Sequence, residues 1–468
     1  MKRNPLFLVF CLLSCLAFAQ KSKPNEVPLT AEKWEFKPDK VSFTQENGTS
    51  EMHIKPDAGK VLARNFNFKS GTIEFDVKPN SLSFYFRYQD AKETECFYLR
   101  MARAGHPLAE DGVQYAPYID GVLMWDMYVQ YQSNAAFSKD NWNHVKLVIS
   151  DSQMRMYVNS PDKPTLEVDH LEGNPSQGTL GFEGDMVVRN LVVKSNETED
   201  LPARPGMDPT ANDPRYIRSW GVSEPQSIPE KVDFSYDLLP SPATKWRVLE
   251  AERRGLVNLI RAFGEKKTRS IVWLKVKIKS EKVQKKTMDF GFVDDVWVFL
   301  NGQMVYLDKN LQGRLMEKPP GGRCSVENAA IVLPLKEGEN ELLIGLANDA
   351  RWGWGAIARL NNREGIEVSP DPTFDSRLVK LKEQQLDSYA GTYQLPNGDQ
   401  VMVTKEGDVL RVAGKTFINA LLYPKAEDHF FFREMDLDVT FVKNNAGAVS
   451  NFVIYNNGKE MMDIKRVQ

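Results

Sequence analysis

Two carboxylates near the start of the chain have a type and spacing that could support catalysis. Glu74 and Asp76 lie in the segment GTIEFDVKP, in which apolar and polar residues alternate with the period of a half-buried strand. Residues two apart on a strand face the same side. Carboxylates on one face of a strand can belong to a glycosidase site, so the pair is a candidate for catalysis. The polar, solvent-facing side of a strand would give the same pattern without any chemistry.

A second group of candidate residues combines aromatic rings with planar polar side chains in the segment 98–131. Sugars bind proteins through aromatic faces stacked on C–H groups and through planar polar groups that hydrogen-bond to hydroxyls. Positions in the core or at its rim would explain the same aromatic residues, so both interpretations stay open. The candidate sugar contacts in this segment are Arg100, His106, Gln114, Tyr115, Tyr118, Trp125 and Tyr128.

A third candidate is the segment DARWGWG at 349–355. If this segment is extended, Trp352 and Trp354 point to the same face and the glycines leave the other face bare. The two rings could form a platform for a ligand beside Arg351, or they could cap the core. We consider Arg351, Trp352 and Trp354 candidate ligand contacts and keep the structural alternative open.

Motifs for other chemistries are missing from the sequence. The five histidines, His53, His106, His144, His170 and His429, show no paired spacing suited to a metal ion. The chain has no Gly-x-Ser-x-Gly elbow, no phosphate-binding loop and no dinucleotide fingerprint. The sequence therefore predicts no catalytic residues, no metal and no cofactor.

The first nineteen residues have the features of a cleaved signal peptide. Lys2 and Arg3 precede the apolar run 6–13, and Ala-Phe-Ala at 17–19 suits a signal peptidase. The apolar stretch is shorter than the roughly 20 residues that span a bilayer. We expect a periplasmic or secreted protein without a membrane span. Lipidation at Cys15 is a minor alternative.

Charge and cysteine content exclude further classes of protein. Removal of residues 1–19 changes the formal net charge from −3 to −5, and a mildly acidic chain has no electrostatic footprint for nucleic acid. Only Cys96 and Cys324 would remain, which is too few for a disulfide framework. We expect no nucleic-acid partner.

The chain divides at a proline-rich stretch. Residues 196–213 hold prolines, charges and few large apolar residues, as linkers do. Short alternating segments beside Asn-Gly turns predict antiparallel strands on both sides of it. The expected fold class is all-β, with two jelly-roll sandwiches followed by a small antiparallel barrel. The predicted domains are 28–195, 214–365 and 377–468, and we expect them to fold separately because the linker should make few contacts.

The first domain resembles a known fold family. The segments GTIEFDVKP, SFYFRY, FYLR, DNWNHVKLVISDSQMRMYVN and GTLGFEG are similar to the concanavalin A-like, laminin-G-like jelly roll. That resemblance implies a sandwich and says little about function. Glucanases of this fold carry Glu-x-Asp-x-x-Glu on one strand, and here the last position is Pro79. The resemblance therefore implies that no proton donor accompanies Glu74.

The other two domains resemble families of accessory modules. The segments DFGFVDDVWVFLNGQMVYLDKN, VLPLKEGENELLIGLAND and WGWGAIARL are similar to the galactose-binding-like jelly roll attached to many secreted glycoside hydrolases. The C-terminal LDSYAGTYQLPNGDQVMVTKEGDVLRV resembles the lipocalin-like barrel appended to β-lactamase-related serine hydrolases. In that family catalysis belongs to another domain, which implies a non-catalytic role here.

These features predict a secreted or periplasmic carbohydrate-binding or scaffolding protein of several modules, without a catalytic site of its own. Its expected partner is a glycan. Two alternatives stay open. One is a glycan-active hydrolase or lyase with a loop site in the N-terminal sandwich, and the other is a surface module that binds a protein partner.

Overall fold

The computed structural model describes residues 25–139, 141–229, 231–241, 244–349, 352–371, 379–417, 419–432, 437–456 and 458–467. The signal peptide predicted at 1–19 and the candidate residue Arg351 lie outside these residues. The protein is nearly all β, with 51% strand and 6% helix. Two sandwiches are followed by a closed barrel, which confirms the predicted fold class.

Within the described residues, fourteen strands form the first sandwich. One twelve-stranded sheet has β1-β4-β14-β5-β11-β12-β13 as its main path, and β8 pairs with β9 separately. Two 3₁₀ turns, Ala31–Lys33 and Met101–Arg103, interrupt the strands. The strands are β1 (Trp34–Glu35), β2 (Val41–Glu46), β3 (Thr49–Ile54), β4 (Val61–Ala63), β5 (Gly71–Tyr88), β6 (Glu95–Leu99), β7 (Val113–Tyr115), β8 (Tyr118–Ile119), β9 (Val122–Leu123), β10 (Gln132–Ser133), β11 (Asn143–Ile149), β12 (Met154–Val158), β13 (Leu166–Val168) and β14 (Thr179–Ser195).

The long strand β5 folds the sheet onto itself. Phe75 and Phe84 lie nine residues apart, which would separate them by roughly 30 Å on a straight strand. Their ring centroids are only 5.1 Å apart. The strand therefore bends between them, in the region of Pro79, where its pairing with β14 shifts in register. A proline suits this position because it cannot donate a ladder hydrogen bond.

In the part of the middle sandwich that the structure describes, there are twelve strands and one short helix. An eight-stranded sheet, with β17-β15-β19-β24-β21-β22 as its path, faces a four-stranded sheet in the order β18-β25-β20-β23. The elements are β15 (Ser219–Ser223), β16 (Gln226–Ser227), β17 (Trp246–Glu250), β18 (Leu256–Asn258), α1 (Leu259–Phe263), β19 (Ser270–Ser280), β20 (Gln284–Phe292), β21 (Asp294–Leu300), β22 (Gln303–Asn310), β23 (Ala329–Leu335), β24 (Gly338–Ala347), β25 (Gly355–Leu360) and β26 (Ile366–Pro370), with 3₁₀ turns at Tyr236–Leu238 and Arg253–Gly255.

The segment 196–213 contacts both sandwiches, although its composition predicts few contacts. The carbonyl of Pro202 accepts a hydrogen bond from Ser150 Oγ at 2.6 Å, on the first sandwich. Arg253 of the middle sandwich donates to the carbonyl of Gly206 at 2.8 Å. Leu201 packs in a buried cluster on the outer face of the first sandwich. The main chain carries much of this contact, and main-chain groups do not depend on side-chain composition. Separate folding of the predicted domains stays a prediction.

The two sandwiches share one apolar core. Buried side chains from Leu29 to Ile366 form a continuous cluster that includes residues of both. Buried polar contacts also cross the interface, since Tyr128 donates to Glu252 Oε2 at 3.0 Å and Asn258 donates to Tyr128 Oη at 3.2 Å. The first and middle sandwiches are therefore packed as one unit.

A closed eight-stranded barrel follows, with its own core. Tyr389, Tyr393 and Phe441 are among the side chains that fill it. None of the helices in the described part of the chain has the length and apolar character needed to cross a membrane. The elements are α2 (Glu383–Tyr389), β27 (Gly391–Gln394), β28 (Gln400–Glu406), β29 (Val409–Gly414), β30 (Ala420–Ala426), β31 (His429–Phe432), β32 (Leu437–Lys443), β33 (Val449–Asn456) and β34 (Lys459–Arg466).

Candidate functional site

The two tryptophan-containing segments that the sequence singles out meet in the structure. The rings of Trp125, from the first sandwich, and Trp352, from the middle sandwich, lie edge to face with centroids 5.9 Å apart. Trp125 is 5% exposed, whereas Trp352 is 41% exposed. Two candidates more than 220 residues apart in sequence thus belong to one place, which we call the interface site.

Four loops build the interface site. The loop after β6 supplies Arg100 and Asp111, and the loop after β9 supplies Trp125. The loop between β22 and β23 supplies Arg323, and the residues before β25 supply Trp352. Loops at the edge of rigid sheets are where binding groups commonly lie.

Main-chain hydrogen bonds hold the loops of the two sandwiches together at this place. The amide of Cys324 donates to the carbonyl of Asp126 at 2.8 Å. The amide of Gly353 donates to Asp126 Oδ1 at 3.1 Å. Asp126 therefore joins the loop after β9 to two loops of the middle sandwich.

The glycines of the Trp-Gly-Trp-Gly segment allow the close approach. A Cβ atom on Gly353 would lie 2.3 Å from Met127 Cγ, and one on Gly355 would lie 2.1 Å from the carbonyl oxygen of Val257. No real side chain tolerates such distances, so the glycines are needed for steric reasons. The bare backbone predicted from the sequence accommodates Met127 of the other sandwich.

Three guanidinium groups surround one carboxylate in the interface site. Asp111 lies 2.8 Å from Arg103 Nε, and its Oδ2 lies 3.9 Å from both Arg100 Nε and Arg323 Nη2. Burial raises the pKa of Asp111, but the hydrogen bond from Arg103 and the charge of Arg100 together lower it below its usual value. The site therefore holds more positive than negative charge.

Arg323 and Trp125 form the inner wall of the site. The guanidinium carbon of Arg323 lies 5.1 Å from the centroid of the Trp125 ring, within cation–π range. Arg323 is 7% exposed, and burial together with the charge of Arg100 lowers its pKa. Among the residues that the structure describes, neither Arg323 Nε nor Trp125 Nε1 has a hydrogen-bond partner.

Asp126 is a buried acid at the bottom of the interface. It is 3% exposed. Burial raises its pKa to about 7, although its own amide, the amide of Gly353 and the charge of Arg323 oppose this change. Near neutral pH this group is therefore partly protonated and carries on average less than a full negative charge.

Gln114 connects Arg100 to Trp125. It is fully buried, and its Nε2 donates to the carbonyl of Trp125 at 2.5 Å. Its Oε1 accepts hydrogen bonds from Arg100 and from Tyr98 Oη, the latter at 2.9 Å. Gln114 thus positions Arg100 and the loop of Trp125 from behind the site.

The structure places other predicted site residues in the packing rather than at a surface. Tyr115 is fully buried and donates to Glu95 Oε2 at 2.6 Å. Tyr128 is 2% exposed and holds the two sandwiches together through Glu252. Trp354 is fully buried and donates to the carbonyl of Leu346 at 3.1 Å. None of these three rings presents a face to solvent.

His106 and Tyr118 lie outside the group that Trp125 joins. His106 is an exposed loop residue beside a shallow depression of about 480 Å³ formed by residues 102–109. Tyr118 is half-buried, and its ring packs 6.1 Å from Tyr85 and 5.3 Å from Lys60 Nζ. A sugar contact at either residue stays a prediction, separate from the interface site.

The carboxylate pair of β5 lies on the outward face of the first sandwich. Glu74 Oε1 accepts from Lys194 at 2.9 Å, and Asp76 Oδ1 lies 2.8 Å from His144 Nδ1. His144 Nε2 is 3.7 Å from Glu74, so the histidine bridges the pair. Within the described residues, no group of three or more His, Cys, Asp or Glu side chains is arranged to hold a metal ion.

Sequence reasoning missed several groups of the interface site. Tyr98, Asp126 and Arg323 carry no periodicity or motif that singles them out. Arg323 stands in PPGGRCS, which reads as an ordinary turn. The proline- and glycine-rich composition of that loop is the sequence feature that could have pointed to Arg323, since loops with special backbone geometry often support binding groups.

Comparison with known proteins finds one family model that matches part of this chain and several similar solved structures. Residues 376–466 match the model of a family described as a domain of unknown function (DUF3471). The match covers the barrel and not the sandwiches. A search of curated protein sequences found no significant match.

Several solved structures similar to this chain match about a third of it. The carbohydrate-binding module CBM66 from Bacillus subtilis is 15% identical, with 35% of this chain and 96% of that chain covered and a TM-score of 0.26. A β-glucanase from Bacillus licheniformis is 13% identical, with 37% and 96% covered and a TM-score of 0.27. A glycosyl hydrolase homologue from Parabacteroides distasonis is 14% identical, with 36% and 89% covered and a TM-score of 0.25.

Proposed function

We propose that this protein is an exported glycan-binding protein and that the interface site is where the glycan binds. The observation that carries the proposal is the pair of rings contributed by two sandwiches. Trp352 exposes 41% of its surface, and Trp125 packs against it edge to face. A ring that is supported from behind and open in front is suited to stack on the C–H face of a sugar.

Polar groups beside the rings would orient the bound sugar. Arg100 and Asp111 are each about 20% exposed at the side chain, so both can reach a ligand. A planar guanidinium donates to sugar hydroxyls, and a carboxylate accepts from them. An exposed aromatic ring with a few fixed polar groups, at the junction of two domains, is the usual composition of a small-ligand site.

The proposed activity is binding without turnover. Glu74 and Asp76 are the paired carboxylates of the chain that come closest to a glycosidase pattern. Each is engaged by a neighbouring cation or imidazole, Lys194 for Glu74 and His144 for Asp76. A screen of common glycosides on the full chain should show no hydrolysis. Turnover that disappears in Glu74→Gln would instead support the hydrolase alternative.

Glycan binding is tested with a glycan array on the full chain. A glycan that binds on the array is then titrated in a calorimeter. Trp352→Ala should weaken the affinity about tenfold, because one stacked ring contributes on the order of 1 kcal/mol or somewhat more. Its melting temperature should stay nearly unchanged compared with that of a variant of a fully buried tryptophan, since Trp352 is 41% exposed.

Trp142→Ala is the matched control. Trp142 is a half-buried tryptophan of the first sandwich that stacks on Arg189 of β14 at 3.8 Å. This variant should bind like the wild type. Loss of binding in Trp142→Ala with full binding in Trp352→Ala would move the site to the outer face of the first sandwich.

A further inference from the structure

The inner wall of the interface site offers only hydrogen-bond donors. Arg323 Nε and Trp125 Nε1 are buried and have no partner among the described residues. Neither group can accept a hydrogen bond, because a guanidinium and an indole N–H are donors only. Leaving such groups buried and unpaired costs free energy, so a ligand that satisfies them gains from it.

The unpaired donors lie where cationic side chains outnumber anionic ones. Arg100, Arg103 and Arg323 lie around the carboxylate of Asp111, and Asp126 also lies near Arg323. Burial raises the pKa of Asp126 to about 7, so near neutral pH this group carries on average less than a full negative charge and positive charge remains in excess. Arg323 Nη2 is 3.9 Å from Asp111, beyond hydrogen-bonding distance, so this donor is also incompletely engaged.

A neutral hydroxyl could accept from these donors, but it would leave the excess charge unbalanced. An oxyanion satisfies both requirements, because its oxygens accept without donating and its charge pairs with guanidinium in charge-assisted hydrogen bonds. Burial strengthens such pairing relative to the same contact in water.

We propose that the glycan of the interface site is acidic and that its carboxylate or sulfate group binds Arg323 and Trp125. The inference rests on the proposed function, because it assumes that the ligand is the sugar stacked on Trp352. In this arrangement Trp352 contacts a sugar ring, while Arg323 and Trp125 recognise the anionic substituent.

The test compares two matched pairs of oligosaccharides in titrations with the full chain. One pair is trigalacturonic acid and its carboxyl-reduced form, and the other is a sulfated galactan oligosaccharide and its desulfated form. The acidic member of at least one pair should bind at least tenfold more tightly than its neutral counterpart. The pair that shows the preference tells carboxylate from sulfate. Equal binding within both pairs would overturn the proposal.

Two variants test whether Arg323 and Trp125 cause the preference for the acidic member. Arg323→Gln should remove the difference between acidic and neutral members, because it lowers the affinity for the acidic member far more than the affinity for the neutral one. Trp125→Phe keeps an aromatic ring at this position but removes the indole N–H, so it should weaken the acidic member several-fold more than the neutral one. If Arg323→Gln does not fold, Trp125→Phe alone carries the test. A preference that survives in every folded variant would contradict the assignment.

A measurement without glycan separates this inference from the proposed function. Inorganic sulfate should raise the melting temperature of the wild type, compared with chloride at constant ionic strength, more than it raises that of Trp125→Phe. If no glycan binds but this difference is present, the anion site stands and the glycan-binding proposal fails. If neutral glycans bind and sulfate has equal effects on both proteins, the glycan-binding proposal stands and the anion site fails.

Discussion

The junction between the two sandwiches differs from the junction between the sandwiches and the barrel. Buried apolar side chains of the two sandwiches form one continuous cluster, and Met127 lies directly against Gly353. The barrel has a core cluster of its own. Its described contacts with the middle sandwich include the ion pair of Arg411 and Asp237, in which the Asp237 side chain is 59% exposed.

The difference shows where a ligand site can be held in a fixed geometry. Loops that must keep several groups in place need a rigid scaffold behind them, and a shared core supplies it. An exposed ion pair contributes little, because solvent and salt screen it. The shared core leads us to expect, in place of the separate folding of all three domains that the sequence predicts, that the two sandwiches unfold together and the barrel in a separate transition.

Removal of the Trp354 side chain should have the largest effect. This ring is fully buried and joins the two sheets of the middle sandwich through Leu346. Trp354→Ala should cost roughly 3–5 kcal/mol of stability. In calorimetry the transition of the two sandwiches should move to lower temperature while that of the barrel stays in place. A common shift of all transitions would contradict the separation.

A methyl group at Gly353 should wedge the sandwiches apart. Its Cβ would lie 2.3 Å from Met127 Cγ and 2.6 Å from Asp126 Oδ1. Overpacking of this kind typically costs 1–3 kcal/mol. Gly353→Ala should lower the melting temperature of the two-sandwich transition and speed proteolysis within 196–213. Unchanged stability would show that the interface is looser than the contacts indicate.

Asp126 should make the interface sensitive to pH. Its ordinary pKa is 3.8, and burial raises the value to about 7 in the folded protein. The folded state therefore binds the proton more tightly, so the stability it provides is present below about pH 4 and is lost as pH rises to about 7. The unfolding free energy of the wild type, minus that of Asp126→Asn, should fall over this range. A difference that does not change with pH would contradict the assignment.

Loss of the exposed ion pair should have the smallest effect. Arg411→Ala removes the contact with Asp237 and also the neighbouring one with Glu406. Exposed pairs contribute about 0–1 kcal/mol, so both transitions should stay nearly in place. A shift of the barrel transition as large as that of Gly353→Ala would show that the barrel is joined to the middle sandwich by more than surface contacts.

The sequence predicted the fold better than the site. In strands such as β5 and β11, apolar and polar residues alternate with a period of two. This pattern indicates strands, so the all-β class and the barrel could be predicted. The candidates Trp125 and Trp352 could be named from residue type alone. The contact between their rings could not be predicted, because it depends on how two domains pack. Local sequence patterns contain no information about that packing.

The Trp-Gly-Trp-Gly segment shows why the finer prediction was wrong. Trp352 and Trp354 should share a face if the segment is extended, but one is 41% exposed and the other fully buried. Strand β25 begins only at Gly355, so the alternation of a strand does not apply to the residues before it. The hydrogen bond from the Gly353 amide to the side-chain carboxylate of Asp126 holds this segment in place instead.

The central claim is that one ligand site contains rings from both sandwiches. Fluorine NMR of the full chain labelled with 5-fluorotryptophan tests it directly, with the signals assigned by single substitution of the nine tryptophans. Addition of a bound glycan should shift the signals of Trp125 and Trp352 together and leave Trp142 unchanged. A glycan that binds while both of these signals stay in place would contradict the account.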